Sequence, residues 1–492
     1  MDIKDILSYL GIFLVINAIT LLLPVPVALY YNEPIMPFLI GSAFSWFSGS
    51  VLMRLPKREL KFGDSMLLVS IGLIIISIFS AIPTMLDEND ISINSFINSY
   101  FDSVSGYSTA GFTTIRSEML SPESPEYRYS IIFSRTLKEW LGGLGIVILF
   151  LSTLAHGGIS TVYLYRMEYG NRRILPNVEH TARFIFRMYF FYTVVGTIAL
   201  WIFGNDFFYA ITGTMSMLAT GGFITNDLGF HVNQSGEYIL LITMMVGAIP
   251  FTMSYVFLSG NLKKFMSNIE IRTGLLILSV FMLLFTILSI INNIHPMDAL
   301  YNSFVGIVSA MSTSGYSTSG LDQFGDVGKF LLIMLMVIGA GSASTGGGLK
   351  LIRIGVMIKS VKWLIKKYSL PETAVLPFKV DGQVFDDEDM RTIMLFFFIY
   401  IVLMSASTIA VLVFNPEYRL VDALMLTSSI QGTVGFNTNF NVADQPIIVR
   451  LIFIFQMIAG RVEIFPILAL IGYIFRGFSR EIKDIEDEIH NI

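Results

Sequence analysis

Stretches of about 20 apolar residues recur from one end of the chain to the other, each long enough to cross a hydrocarbon core of ~30 Å as a helix. No water reaches the backbone in lipid, so every N–H and C=O must be satisfied within the segment, and helices of this length do that. The expected spans cover residues 6–31, 36–53, 65–86, 129–154, 184–204, 236–259, 273–293, 329–357, 392–414 and 447–475. Composition agrees, with 54% hydrophobic and only 14% charged residues, against about 25% charged in soluble domains. The absence of cysteine excludes disulfides and thiolate metal sites. The first segment, from near Ile6 past Tyr30, has no small-residue cleavage site and reads as a retained helix.

Charge sets the orientation. Arg54, Lys57, Arg58 and Lys61 follow the second span, and Arg166, Arg172, Arg173 and Arg183 the fourth. Lys263, Lys264 and Arg272 follow the sixth, Lys359, Lys362, Lys366 and Lys367 the eighth, and Arg476, Arg480 and Lys483 the last. All share one side if both termini are cytoplasmic, as the positive-inside rule requires. Acids mark the opposite loops, among them Asp87, Glu88, Asp90, Glu118, Asp206, Asp227, Asp322, Asp326 and Asp444. The expected location is the cell membrane, with lipid as a partner and no nucleic acid.

Four outer segments are too short and polar to cross: "NSFINSYFDSV", "NDFFYAITGTMSM", "MDALYNSFVGIVSA" and "RLVDALMLTSSI". Such pieces suit re-entrant half-helices. After each comes the same kind of text: "STAGFTT" from Ser108, "ATGGFIT" from Ala219, "STSGYST" from Ser312 and "GTVGFNT" from Gly432. The second position is always Thr (Thr109, Thr220, Thr313, Thr433), and the fourth always Gly (Gly111, Gly222, Gly315, Gly435). The fifth is aromatic, and the seventh again Thr (Thr114, Thr225, Thr318, Thr438). Gly and Thr also cluster where membrane helices pack closely. Four copies on one side, in one register and after the same half-helix, favour a pore.

A dehydrated cation needs several oxygens in place of its water, and Gly permits backbone angles that turn carbonyls toward an axis. The candidate ligands are the carbonyls of Thr109, Ala110 and Gly111, of Thr220, Gly221 and Gly222, of Thr313, Ser314 and Gly315, and of Thr433, Val434 and Gly435. "TVGF" (Thr433 to Phe436) nearly spells the potassium-channel filter.

With "WLGGLGI" (Trp140 to Ile146), "GSASTGGGLKLIR" (Gly341 to Arg353), "AVLPFKVDGQV" (Ala374 to Val384) and "GRVEIF" (Gly460 to Phe465), these loops make the whole chain resemble the TrkH branch of the Trk/Ktr/HKT superfamily of potassium transporters. The expected fold is an all-α polytopic membrane protein of about ten transmembrane helices plus four re-entrant pore half-helices, in four repeats around one pore. Residues 1–62 hold two extra N-terminal helices, and 63–183 and 184–272 the first two repeats. Residues 273–390 hold the third repeat with a gating loop, and 391–492 the fourth with the C-terminal tail. In the family, Gly at the filter position of every repeat goes with potassium, the transported ion; no organic cofactor is implied. The resemblance also implies a homodimer served by a cytoplasmic nucleotide-binding subunit of the TrkA/RCK type.

The Gly-rich stretch from Gly339 to Lys350 should break the eighth span. From residues alone it is either a close helix crossing or a loop. The resemblance makes it an intramembrane gate formed by Gly341, Ser342, Ala343, Ser344, Thr345, Gly346, Gly347 and Gly348, with Lys350 at its inner end and Arg461 beside it. Arg461 and Glu463 lie inside the last span, either as a structural ion pair or with Arg461 as an electrostatic barrier. Arg135, Lys138 and Glu139 are expected to snorkel or pair near the outer interface. The five histidines have no ligand spacing. A secondary carrier coupling potassium to protons or sodium is the alternative, since carriers too break helices at the midplane. An intramembrane enzyme lacks its motifs, with no GxSxG or HExxH and no convergent His or Asp in the spans.

Overall fold

The structure is a computed structural model that describes residues 3–56, 62–88, 92–154, 178–223, 232–317, 325–371, 376–437, 440–464 and 466–473. It is all-α apart from a two-residue-per-strand hairpin. In chain order the helices are α1 (Ile3–Leu22), α2 (Val25–Tyr30), α3 (Met36–Leu52), α4 (Phe62–Asp87), α5 (Ile93–Ser108) and α6 (Tyr129–Leu154). Next come α7 (Val178–Ile202), α8 (Phe207–Leu218), α9 (Gln234–Ala248), α10 (Phe251–Leu258), α11 (Leu262–Ser267) and α12 (Ile269–Ile291). Then follow α13 (Pro296–Ser312), α14 (Gly325–Ile338), α15 (Leu351–Tyr368), the hairpin β1 (Lys379–Val380) and β2 (Gln383–Val384), α16 (Asp387–Phe414), α17 (Leu420–Gln431) and α18 (Ile447–Arg461).

The expected half-helices are α5, α8, α13 and α17. Local chemistry starts two of them cleanly, where the side chains of Ser92 and Asp206 accept the N–H groups of Ser95 and Phe208 at 3.1 and 2.8 Å. Their outer ends are fixed in part by ion pairs: Lys329 at the start of α14 meets Asp422 on α17 at 2.7 Å.

Among the described residues, five helices are long and apolar enough to cross a membrane unbroken, six if one bent pair counts as a single span. Part of the shortfall from ten has a physical cause, because three spans are interrupted; α3, at 17 residues, is also short. The span expected over 236–259 is two helices, α9 and α10, bent by 111°. Pro250 stands at the bend, without an N–H to continue the ladder. The eighth span divides into α14 and α15 around the Gly-rich stretch. The last stops at Arg461, Glu463 takes a left-handed φ of 64°, and residues 466–473 are helical again.

Small residues let the helices close up. A methyl group on Gly11 of α1 would lie 2.8 Å from the Gly49 carbonyl of α3, and one on Gly49 would lie 2.7 Å from the Gly11 carbonyl. Polar groups then tie this N-terminal pair to α4 and α5. Asn17 accepts from Ser80 at 2.7 Å and from the Tyr107 hydroxyl at 2.9 Å. Lys57, Arg58, Lys61, Asp90, Arg166, Arg172, Arg173, Asp227, Asp322, Arg476, Arg480 and Lys483, and the outer threonines Thr225, Thr318 and Thr438, lie outside the described residues.

Candidate functional site: four Thr–Gly loops and the loop beneath them

The four short helices end identically. The N–H groups of Thr109, Thr220, Thr313 and Thr433 donate to the carbonyls of Gly106, Met217, Ala310 and Ile430. One residue on, the N–H groups of Ala110, Gly221, Ser314 and Val434 reach back to Ser105, Ser216, Ser309 and Ser429. That pair of bonds is a Schellman motif, whose left-handed position normally goes to Gly. Here it is Thr every time, at φ of 56°, 53°, 62° and 52°. A left-handed conformation costs an L-residue ~1–2 kcal/mol, and β-branching makes it a true outlier. Strain repeated four times in one register marks a functional constraint.

Two residues later the backbone turns left-handed again, at Gly111, Gly222, Gly315 and Gly435. Each of these glycines faces the neighbouring loop. A methyl group on Gly111 would overlap the Gly221 carbonyl oxygen, on Gly222 that of Ser314, and on Gly315 that of Val434. On Gly435 it would lie 3.2 Å from the oxygen of Ala110. The sequence of neighbours runs from first loop to second, third, fourth and back to first. The ring is closed.

Its electrostatics suit a cation. Four helix C-termini converge on the ring, each carrying roughly half a negative charge from the aligned peptide dipoles. The Thr109 and Thr433 hydroxyls are buried without a hydrogen-bond partner.

Ser105, Ser216, Ser309 and Ser429 stand four residues before the Thr in every repeat, a signal in plain view that the sequence reading passed over. Ser216 donates to the Phe223 carbonyl at 3.3 Å, and Ser429 accepts the Gly435 N–H at 3.1 Å. These two therefore brace the loops from behind. A second missed signal lies in the following helices. Methyl groups on Gly142, Gly247 and Gly460 would overlap the carbonyls of Tyr107, Leu218 and Gln431, each two residues before its Thr. Glycine is what lets those helices close on the loops.

The Gly-rich segment passes directly below. Its backbone uses the groups that the break at Pro250 leaves over: Gly341 N–H and Thr345 N–H donate to the Ala248 and Gly247 carbonyls at 3.0 and 3.1 Å. The Thr345 hydroxyl donates to Leu218 O at 2.9 Å and meets the Thr220 hydroxyl at 3.3 Å. Gly347 N–H donates to the Thr313 hydroxyl at 2.9 Å, and a methyl group on Gly347 would overlap the Thr433 hydroxyl. Three of the four threonines thus touch this one segment. Glu270 holds the segment from α12, accepting the N–H and O–H of Ser342 at 2.6 and 2.8 Å. Lys350 turns back to the carbonyl of Gly346.

Arg461 joins three parts of the chain, donating to Thr345 O and, at 2.7 Å, to Gly142 O. The ion-pair partner of Glu463 is Arg353, at 2.6 Å, so a pair between Arg461 and Glu463 is not what holds that acid. Arg135, Lys138 and Glu139 do not snorkel. Their exposures are 1%, 3% and 0%. Arg135 pairs with Asp102 at 3.1 Å and stacks over the Phe223 ring at 3.9 Å. Glu139 accepts the Phe223 N–H at 2.9 Å. The fourth span begins at Tyr129, so these residues lie between about one and a half and three turns inside it and back onto the loops.

Residues 35–473 match the family model of TrkH, described as cation transport protein. An uncharacterized cation transporter of Methanocaldococcus jannaschii is 31% identical over 487 residues, covering 98% of both chains. The Trk system potassium uptake protein TrkH of Salmonella typhimurium is 26% identical, over 96% of this chain and 98% of its own. The crystal structure of the potassium transporter TrkH from Vibrio parahaemolyticus superposes with a TM-score of 0.83 at 25% identity, covering 96% of this chain and 98% of that one. The chain belongs to the TrkH family of cation transport proteins.

Proposed function

We propose that this chain is the channel-like, ion-conducting subunit of a potassium uptake system in the cell membrane, built from two N-terminal helices and four pore repeats. The observation that carries the reading is the closed ring of glycines against neighbouring carbonyls. Each close approach holds a carbonyl of one loop against the backbone of the next, which sets the ring's diameter without any side chain. The carbonyls of positions two to four replace the hydration shell of K+, and the helix ends supply the negative potential. The uptake proteins it resembles bear potassium in their names.

Below the ring, the segment from Gly341 to Gly348 is the gate and the arrangement is closed, since the segment lies against three of the four threonines, through the Thr345 hydroxyl and the Gly347 backbone. Arg461 adds a positive charge under the filter and fastens the gate through Thr345. Arg461→Ala should therefore raise basal cation flux about fivefold, the size of effect that ~1 kcal/mol brings, without changing ion preference. A fall in flux in a folded protein would show that the arginine only supports the structure. The chain acts as a homodimer, and the exposed Lys362, Lys366 and Lys367 on α15 with the nearby hairpin form the docking face for a nucleotide-binding subunit of the TrkA/RCK type.

The interrupted helices beneath the ring keep one rival alive, a carrier driven by protons or sodium. Flux through purified protein in vesicles separates the two. A channel passes K+ and Rb+ down their own gradients, passes Na+ far more slowly and needs no proton gradient. Transport that stops when the proton gradient is collapsed would overturn the channel reading.

A further inference from the structure

One turn of α6 holds two neighbouring loops at once. Arg135 and Glu139 are four residues apart and so share a helix face. Through Asp102, which accepts the Thr113 hydroxyl at 3.0 Å, Arg135 reaches the outer end of the first loop. The same guanidinium covers the Phe223 ring of the second loop, and Glu139 takes the Phe223 N–H. Glu139 is fully buried, and its carboxyl lies so close to Gly221 that a methyl group there would overlap it. Gly221 carries the carbonyl against which Gly111 packs. The corner of the ring between the first and second loops is therefore backed by an acid, whereas Gly435 in the fourth loop is backed by the Ser429 hydroxyl.

We infer that Glu139 is a positioning residue for ion selection, fixing the second loop through Phe223 so that the Gly221 carbonyl keeps its distance from the pore axis. This rests on the potassium-filter reading above and adds a residue outside the filter motif. Its chemistry requires an acceptor, not a charge. A neutral amide oxygen at the same place can take the Phe223 N–H, while an apolar side chain of the same volume leaves that N–H buried and unmet. The loop then relaxes, its carbonyls lose their fixed radius, and a smaller ion is no longer excluded.

The test measures K+, Rb+ and Na+ flux through purified protein in vesicles for wild type, Glu139→Gln, Glu139→Leu and Glu139→Asp. The K+/Na+ ratio should fall about fivefold in Glu139→Leu, the effect expected from one lost buried hydrogen bond. It should stay within about twofold of wild type in Glu139→Gln, a rescue that a general packing role would not distinguish. Glu139→Asp withdraws the carboxylate by one methylene and should give an intermediate ratio; it decides the matter if Glu139→Leu does not assemble. A wild-type ratio in folded Glu139→Leu, or in Glu139→Asp where Leu is not tolerated, overturns the inference, as does a loss in Glu139→Gln equal to that in Glu139→Leu. Wild-type protein that fails to prefer K+ over Na+ overturns the filter reading instead, so the two failures are distinguishable.

Discussion

Gly111→Ser is expected to lower the K+/Na+ permeability ratio by about tenfold, equivalent to ~1.4 kcal/mol of differential barrier, while the protein still inserts and assembles. Two costs fall on the same atoms. Gly111 sits at φ 72°, where an L side chain is strained by ~1–2 kcal/mol. Its first side-chain carbon would also overlap the Gly221 oxygen, with the Gly435 Cα only 3.2 Å away on the other side. The backbone cannot yield locally, because the next loop closes the ring. The Gly221 carbonyl must tilt, and that carbonyl is one of the oxygens proposed to replace the ion's water. The ring geometry also ranks the four sites. Ser at Gly222 or Gly315 meets the same overlap, while Gly435 has 3.2 Å of room and should lose the least selectivity. Permeability ratios from reversal potentials, compared across the four variants, check both the size and the order. An unchanged ratio in folded Gly111→Ser would remove that residue from the filter.

The repeat was legible because its signal is local. The Gly positions, two residues after each Thr at the end of a short half-helix, need a left-handed backbone that Gly alone adopts without cost, and the Thr is repeated at its own strained position, so the sequence spells both out each time. The four helices α5, α8, α13 and α17 and their loops follow directly. What escaped were properties of the assembled packing. Arg135 and Glu139 looked like interfacial charges because they fall early in an apolar run, and hydropathy cannot show that this face of α6 turns inward onto Asp102 and Phe223. Their burial is supported by partners 33 and 84 residues distant, which no periodicity reports. The bend at Pro250 was not expected, since 236–259 reads as one span and Pro83 lies within the unbroken α4. Its use was not legible either, because the carbonyls it leaves over are taken by Gly341 and Thr345 from another repeat. The same holds for Gly460, whose place in the GRVEIF stretch does not reveal that the Gln431 carbonyl lies against it.

Excising Ser342 to Gly347 should leave the protein constitutively conductive, with basal flux raised about tenfold or more and potassium preference retained. The deletion is feasible because the loop's ends already meet. A methyl group on Gly339 would lie 2.7 Å from the Gly348 Cα, and Leu349 N–H donates to Val337 O at 2.9 Å. Joining Gly341 to Gly348 therefore shortens a hairpin without pulling α14 and α15 apart. What the excision removes is the Thr345 hydroxyl lying against Thr220 and the Gly347 backbone lying against Thr313 and Thr433. What it spares is the ring itself, whose close approaches run loop to loop and include no atom of the excised segment. Arg461 loses Thr345 O but keeps Gly142 O, so its tie to α6 survives. The cost falls on Glu270, whose carboxylate loses both donors from Ser342, and on Lys350, which loses the Gly346 carbonyl, at ~1–3 kcal/mol for each buried hydrogen bond removed from a charged group. Pairing the deletion with Glu270→Gln limits the loss at that site, since hydrogen bonds to a neutral amide are worth less than those to a carboxylate. Flux through purified protein without any regulatory subunit is the measurement, alongside wild type and Glu270→Gln alone. A folded deletion protein with only wild-type basal flux would show that the segment is a structural floor to the pore and that the gate lies elsewhere.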